Sequence, residues 1–160
     1  MFIDNSINEA YRGATLFIGK YTCTLDKENR LIVPPAVMEQ LSGYIYVTQG
    51  FDRNLLILTM EAFQEIYHRI VSLNITDPLA RLLLRLILGS THKLETEGDA
   101  NITIPEDLRA FANLWEEVLL IGQGDYFEIW SIDLWKEQDA KLRDVDSNAD
   151  RFSELTVCTR

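Results

Sequence analysis

The sequence predicts an α+β, β-rich fold: two tandem copies of one small unit that complete a shared, pseudo-twofold β-core. Repetition is the first observation behind it. At an offset of 71, "YTCTLDKENRLIVP" (21–34) lies over "HKLETEGDANITIP" (92–105), so that Asp26 meets Glu97, Arg30 meets Asn101, Leu31 meets Ile102 and Pro34 meets Pro105. At an offset of 72, "LILTMEAF" (56–63) lies over "EIWSIDLW" (128–135), with Thr59 on Ser131 and Phe63 on Trp135. A near-constant offset across separated segments marks a duplicated unit rather than a chance likeness of apolar runs. The second observation is size: a unit of roughly 50 residues is too small to bury a core alone, so each copy needs the other. The third is patterning within each copy, where alternation of period two gives way to helical spacing.

Taken in order, residues 1–15 read as an N-terminal extension and 16–75 as the first repeat. "GKYTCTLD" alternates as a strand, "KEN" supplies turn formers, and "RLIVP" is a second strand ended by a proline that cannot donate a ladder hydrogen bond. "PAVMEQLSG" follows as one or two helical turns with proline at the start and glycine at the stop. "YIYVTQG", the polar turn "FDRN" and "LLILT" give a second hairpin. Thr59 then caps a helix whose Phe63, Ile66, Tyr67 and Ile70 fall on one face. Residues 76–89 read as a linking helix with Thr76 as cap and Pro78 in its first turn. The second repeat spans 90–143 and closes on a helix that starts between Ser131 and Asp133. Residues 144–160 lose periodicity and read as a partly disordered tail.

Charge divides the chain more informatively than it totals it. The net charge of −10 argues against indiscriminate binding to nucleic acid or to anionic membrane. Residues 1–91 hold eight Lys/Arg against nine Asp/Glu, whereas residues 92–160 hold seven against sixteen. Cys23 and Cys158 stand far apart with no metal or redox spacing, which fits reduced cytosolic thiols. The most apolar window, "LARLLLRLILG", is interrupted by Arg81 and Arg85, and no run reaches the roughly 20 apolar residues of a membrane span.

The first hairpin is the candidate site. Lys20, Lys27 and Arg30 stand there against Asp26 and Glu28, and an arginine on a rigid hairpin offers bidentate hydrogen bonds to a phosphate or a guanine edge. The same residues equally describe an Asp26–Arg30 ion pair that only holds the turn. The matching loop of the second copy sets Lys93 against Glu95, Glu97 and Asp99 and would repel phosphate. Arg81 and Arg85, four apart on the linking helix, are open to contact with a neighbouring subunit, with DNA, or with solvent alone. His68 and His92 lack ligand partners at metal spacing, no nucleophile has a visible His/acid arrangement, and there is no glycine-rich phosphate loop. No metal, cofactor or small-molecule substrate is expected, and the chain does not read as an enzyme. Trp115, Trp130 and Trp135, with Phe111 and Tyr126, read most simply as the core of the second unit, a stacking platform for bases being the alternative that their acidic setting disfavours.

Together, "LFIGKYTCTLDKENRLIVPP", "GFDRNLLILTMEAF", "DPLARLLLRLILGST" and "EGDANITIPEDLRAF…VLLIGQGDYFEIWSIDLW" resemble the bacterial MraZ family of transcription regulators over roughly residues 16–140. The resemblance implies two AbrB-like swapped-hairpin repeats forming a pseudo-twofold β-barrel core flanked by helices. It also implies a ring-shaped homo-oligomer that binds short operator repeats in double-stranded DNA upstream of the division and cell-wall genes, in the cytoplasm at the nucleoid. The family's Asp-x-x-x-Arg signature maps onto Asp26 and Arg30, with the arginine as the DNA-contacting member. The family's usual glycine before that arginine is Asn29 here, a residue that also accepts left-handed backbone geometry. In the second copy the signature becomes Glu97 and Asn101, without the arginine.

The expected function is therefore sequence-specific DNA binding through Arg30, Lys27, Asp26, Asn29 and Lys20 of the first hairpin, with Arg81 and Arg85 as further contacts to subunit or DNA. The alternative is an oligomeric scaffold or partner-binding protein that keeps the fold without DNA binding. An antitoxin-like role shares the hairpin fold but normally needs a long toxin-wrapping tail, and the tail here is short.

Overall fold

The computed structural model describes residues 16–41, 43–96 and 101–155. The first unit contains β1 (Lys20–Leu25), β2 (Arg30–Ile32), α1 (Pro35–Met38, continued by a 3-10 turn over Glu39–Leu41), β3 (Gly43–Gln49), β4 (Leu55–Thr59) and α2 (Met60–Val71). After α3 (Pro78–Ser90) the same order returns as β5 (His92–Thr96), β6 (Asn101–Thr103), α4 (Glu106–Phe111), β7 (Glu117–Gly122), β8 (Tyr126–Ser131) and α5 (Ile132–Arg143), followed by α6 (Val145–Phe152).

The eight strands form one antiparallel sheet in the order β5-β3-β4-β8-β7-β1-β2-β6, whose two ends, β5 and β6, meet so that the sheet nearly closes into a barrel. The order shows how the copies interlock. The first hairpin of each unit pairs with strands of the other, β1 with β7 and β5 with β3, and never with the second hairpin of its own unit. The pseudo-twofold axis passes between β2 and β6, where Leu31 faces Ile102, and between β4 and β8, where Ile57 faces Phe127 and Leu55 faces Ile129. The expected interlocked β-core is thus the fold of the molecule.

Alternation places the core. On β1, Cys23 and Leu25 point inward while Thr22 and Thr24 face out, and on β2 only Leu31 is buried. With Val47, Ile57, Val118, Leu120, Phe127 and Ile129 they fill the barrel interior. All four residues Leu55–Leu58 are buried because α2 packs over the outer face of β4. Burying a side chain of this size contributes roughly 1.5–3 kcal/mol.

Both long closing helices start as the sequence predicts: the Thr59 hydroxyl accepts from the Ala62 N–H and that of Ser131 from the Leu134 N–H. Three expectations change. The cap of α3 is Asp77, whose carboxylate accepts from the Leu79 N–H, while the Thr76 hydroxyl turns back to donate to Asn74. Residues 145–152, within the tail read as partly disordered, are helical: the Asp144 carboxylate accepts from the Ser147 N–H and the Asn148 amide donates to the Lys141 carbonyl. Trp115 is 64% exposed rather than part of the core, whereas Trp130 is buried edge-on against Trp135. Cys23 is a free, buried thiol, its pKa pushed up to about 11 by burial; Cys158 lies outside the described residues. Among the described residues no helix is long and apolar enough to cross a membrane.

Candidate nucleic-acid interface

The tip between β1 and β2 is held almost entirely by Asp26. Its Oδ1 accepts from the backbone N–H of Glu28 and of Arg30, both at 2.9 Å, and its Oδ2 accepts from Arg30 Nε at 2.7 Å. The Asp26 N–H donates to the Arg30 carbonyl and the Asn29 N–H to the Asp26 carbonyl, which closes the turn. Closure requires a left-handed residue, and Asn29 supplies it at φ 61°, a geometry that asparagine tolerates better than most side chains. The Arg30 backbone N–H, before any other group, holds the Asp26 carboxyl below the usual carboxylate range. A lowered pKa keeps the stabilisation present above the ordinary carboxylate pKa and loses it only as pH falls through the lowered one, so the tip is intact at neutral pH.

Arg30 therefore has Nε fixed by Asp26, while its terminal edge meets a second carboxylate. Nε is bound to Asp26, Nη2 contacts Glu28, and the side chain is 48% exposed. Glu28 is itself 70% exposed, so its pairing is weak and exchangeable. Lys27 is exposed at the apex. The ion pair suggested by the sequence exists, and it orients the arginine instead of consuming it.

The opposite unit supports this tip from below. The Ile104 N–H donates to the Asn29 carbonyl at 2.8 Å, and the Asn29 amide donates to Glu106 Oε2 at 2.7 Å. Arg109 hydrogen-bonds Glu106 through Nε at 3.1–3.2 Å, donates from Nη1 to the Leu114 carbonyl, and lies 5.6 Å from the Trp115 ring. Arg109 first and Asn29 second lower the Glu106 pKa to about 2. An open groove of about 580 Å³ runs beside the hairpin, lined among others by Lys27, Asn29, Arg109 and Trp115. Glu106 escapes sequence reasoning because its bond to Asn29 crosses between units, and Arg109 and Trp115 join the site only as its neighbours within the second unit; the one signal is the "EDLR" segment, which replaces "PAVM" of the first copy.

The remaining site candidates lie elsewhere. Lys20 begins β1, at the end away from the tip, with Nζ 5.9 Å from the Trp135 ring. Arg81 turns back to donate to the carbonyls of Ile75 and Thr76, and Arg85 is exposed one turn further along α3. α3 packs on β3, which neighbours neither strand of the first hairpin. Of the second loop, Glu97 lies outside the described residues and Asn101 opens β6 opposite Ile32. His92 pairs with Asp107 at 3.1 Å.

A family model described as "MraZ protein, putative antitoxin-like" matches twice, over residues 16–86 and 87–156. The chain is 33% identical to the transcriptional regulator MraZ of Thermomicrobium roseum over 77% of its own length and 87% of that protein. It is 34% identical to the protein of that name in Herpetosiphon aurantiacus, over 76% and 85% of the two chains. It is 29% identical to the one in Clostridium tetani, over 89% of this chain and the whole of that one. With a doubled family match laid end to end on a fold that is itself doubled, the chain belongs to the MraZ family.

Proposed function

We propose that the chain is a sequence-specific, non-enzymatic DNA-binding regulator of transcription, and that the first hairpin loop is its reader. The observation that carries this is the half-exposed Arg30 guanidinium, oriented by Asp26 through Nε and met at its terminal edge only by the exposed Glu28. That edge is the one with which arginine makes paired hydrogen bonds to phosphate or to guanine O6 and N7. Lys27 adds charge at the apex, whereas the acidic second unit turns DNA away from the rest of the surface.

One hairpin is a small contact, and the reading includes a homo-oligomeric ring that displays many copies to repeated operator sites. Such arrays gain roughly 10² to 10⁴ in avidity when site spacing matches subunit spacing. The names of the relatives and the family resemblance support the role in transcription. The proposed targets are repeats upstream of the division and cell-wall gene cluster, bound in the cytoplasm at the nucleoid.

A titration of the full chain against the DNA upstream of its own gene and against scrambled DNA, at two salt concentrations, tests this. Selective binding that falls with salt by a slope of about 0.9 per contacted phosphate, and that Arg30→Ala abolishes while the oligomer persists, is the expected result. Absence of selectivity favours the scaffold role that the acidic second half suggests, and binding indifferent to Arg30→Ala moves the reader to another surface.

A further inference from the structure

We propose that Glu106 is a positioning residue for the DNA-reading hairpin: the second unit, through this side chain, sets the geometry in which the first unit presents Arg30. The inference rests on the reading of Arg30 given above. Asn29 immediately precedes Arg30 and is the left-handed residue of the turn. Rotation of its backbone re-aims everything that follows, and two contacts from the other unit oppose that rotation. One is the Ile104 N–H on its carbonyl; the other is Glu106 on its side-chain amide. Glu106 is not free to follow the loop, because Arg109 holds it and is in turn anchored to the Leu114 carbonyl.

The device works in one direction only. Under the offset of 71, Asn29 corresponds to Ala100 and Glu106 to Pro35, so at these positions the second loop has a methyl group in place of the amide and the first unit a proline in place of the carboxylate. The duplicated fold gives two equivalent loops, and side chains for this clamp are present at only one of them. That loop is also the one with the arginine. The ladder between β2 and β6 ties the hairpin to the barrel from Arg30 onward, whereas the bonds that Asp26 makes at the tip are internal to it, so Glu106 acts on the residue where the ladder gives way to the turn. Fixing it beforehand removes ordering cost from the binding step.

The test uses the full chain, the upstream DNA, and amide hydrogen exchange at Asn29 and Ile104. Glu106→Ala is expected to weaken binding by about tenfold and to speed exchange at both amides, with the oligomer unchanged. Glu106→Gln keeps an acceptor for Asn29 and is expected to stay within about threefold of the parent. Asn29→Gly suits φ 61° but removes the amide donor, so Glu106→Ala added to it is expected to cost nothing further. The cycle through Asn29→Gly also decides the matter should Glu106→Ala alone fold poorly. Parent-like binding by Glu106→Ala beside a defective Arg30→Ala overturns the inference alone, as does equal weakening by Glu106→Gln. Parent-like binding by Arg30→Ala overturns the reading on which the inference rests.

Discussion

Arg30 meets two carboxylates, and they act in opposite senses. Asp26 bonds two turn amides and one guanidinium nitrogen, so removing it dismantles the tip along with the ion pair. Glu28 contacts only Nη2, from a largely exposed position, and occupies the edge that a phosphate or base would take. An exposed pair of this kind contributes about 0–1 kcal/mol to stability, so its loss leaves the fold in place. Glu28→Gln is therefore expected to raise affinity for the upstream DNA by roughly three- to tenfold, by removing both a competitor and a negative charge from the contact. The effect is measured in the same salt titration as Arg30→Ala, and it should diminish as salt screens the charge. Unchanged or weaker binding by Glu28→Gln places the DNA contact away from the Nη2 side of Arg30.

At the scale of elements, what the sequence could show depended on where each element draws its support. Strand alternation, the prolines after β2 and β6, and the caps Thr59 and Ser131 are local, and repetition at a fixed offset made each legible twice. Helix α6 escapes the sequence because it is eight residues long and buries none of them, being held by the Asp144 cap and by the Asn148 amide on the Lys141 carbonyl of α5. The sequence does not choose Asp77 over Thr76 as the cap, because the two adjacent side chains have the same capacity and only the backbone path decides between them. The exposure of Trp115 is not legible either, because aromatic composition says nothing about which side of a helix-to-strand connection faces solvent. The clamp of Glu106 on Asn29, 77 positions apart, has no local signature. Gly122 is a further case in which only the fold explains a residue. A Cβ there would stand 2.5–2.6 Å from backbone atoms of Phe17 and Ile18, which run alongside as Phe17 and Gly124 exchange two hydrogen bonds of 2.8 Å. Gly122→Ala is expected to destabilise by about 1–3 kcal/mol and to speed amide exchange at Phe17 and Gly124 before the rest of the barrel. A melting temperature equal to that of the parent would show that the segment shifts at no cost.

For the whole molecule the decisive feature is that neither unit contains its own sheet. Going round the barrel from β1 to β3 means passing through β7, β8 and β4 on one side, or β2, β6 and β5 on the other, and both paths cross into the second unit. Cut between residues 75 and 76, the first fragment keeps two hairpins that share no ladder, and two separate hairpins are at best marginal in water. Its buried residues, Cys23, Leu31 and Ile57 among them, would lose their partners Val118, Ile102 and Phe127. One remedy is open to a fragment alone. Because Leu31 and Ile102 occupy equivalent places across the axis, two copies of the first fragment can pair as the two units do, but only at a concentration that supports a dimer. Fragments 1–75 and 76–160 are thus each expected to show no cooperative thermal transition as monomers at low micromolar concentration. Mixed in equal amounts they are expected to regain the strand dichroism and a single transition. A fragment that folds as a monomer would mean that its hairpins close on one another in a topology the intact chain does not use. The second unit would then be an attachment to the first instead of the missing half of its sheet.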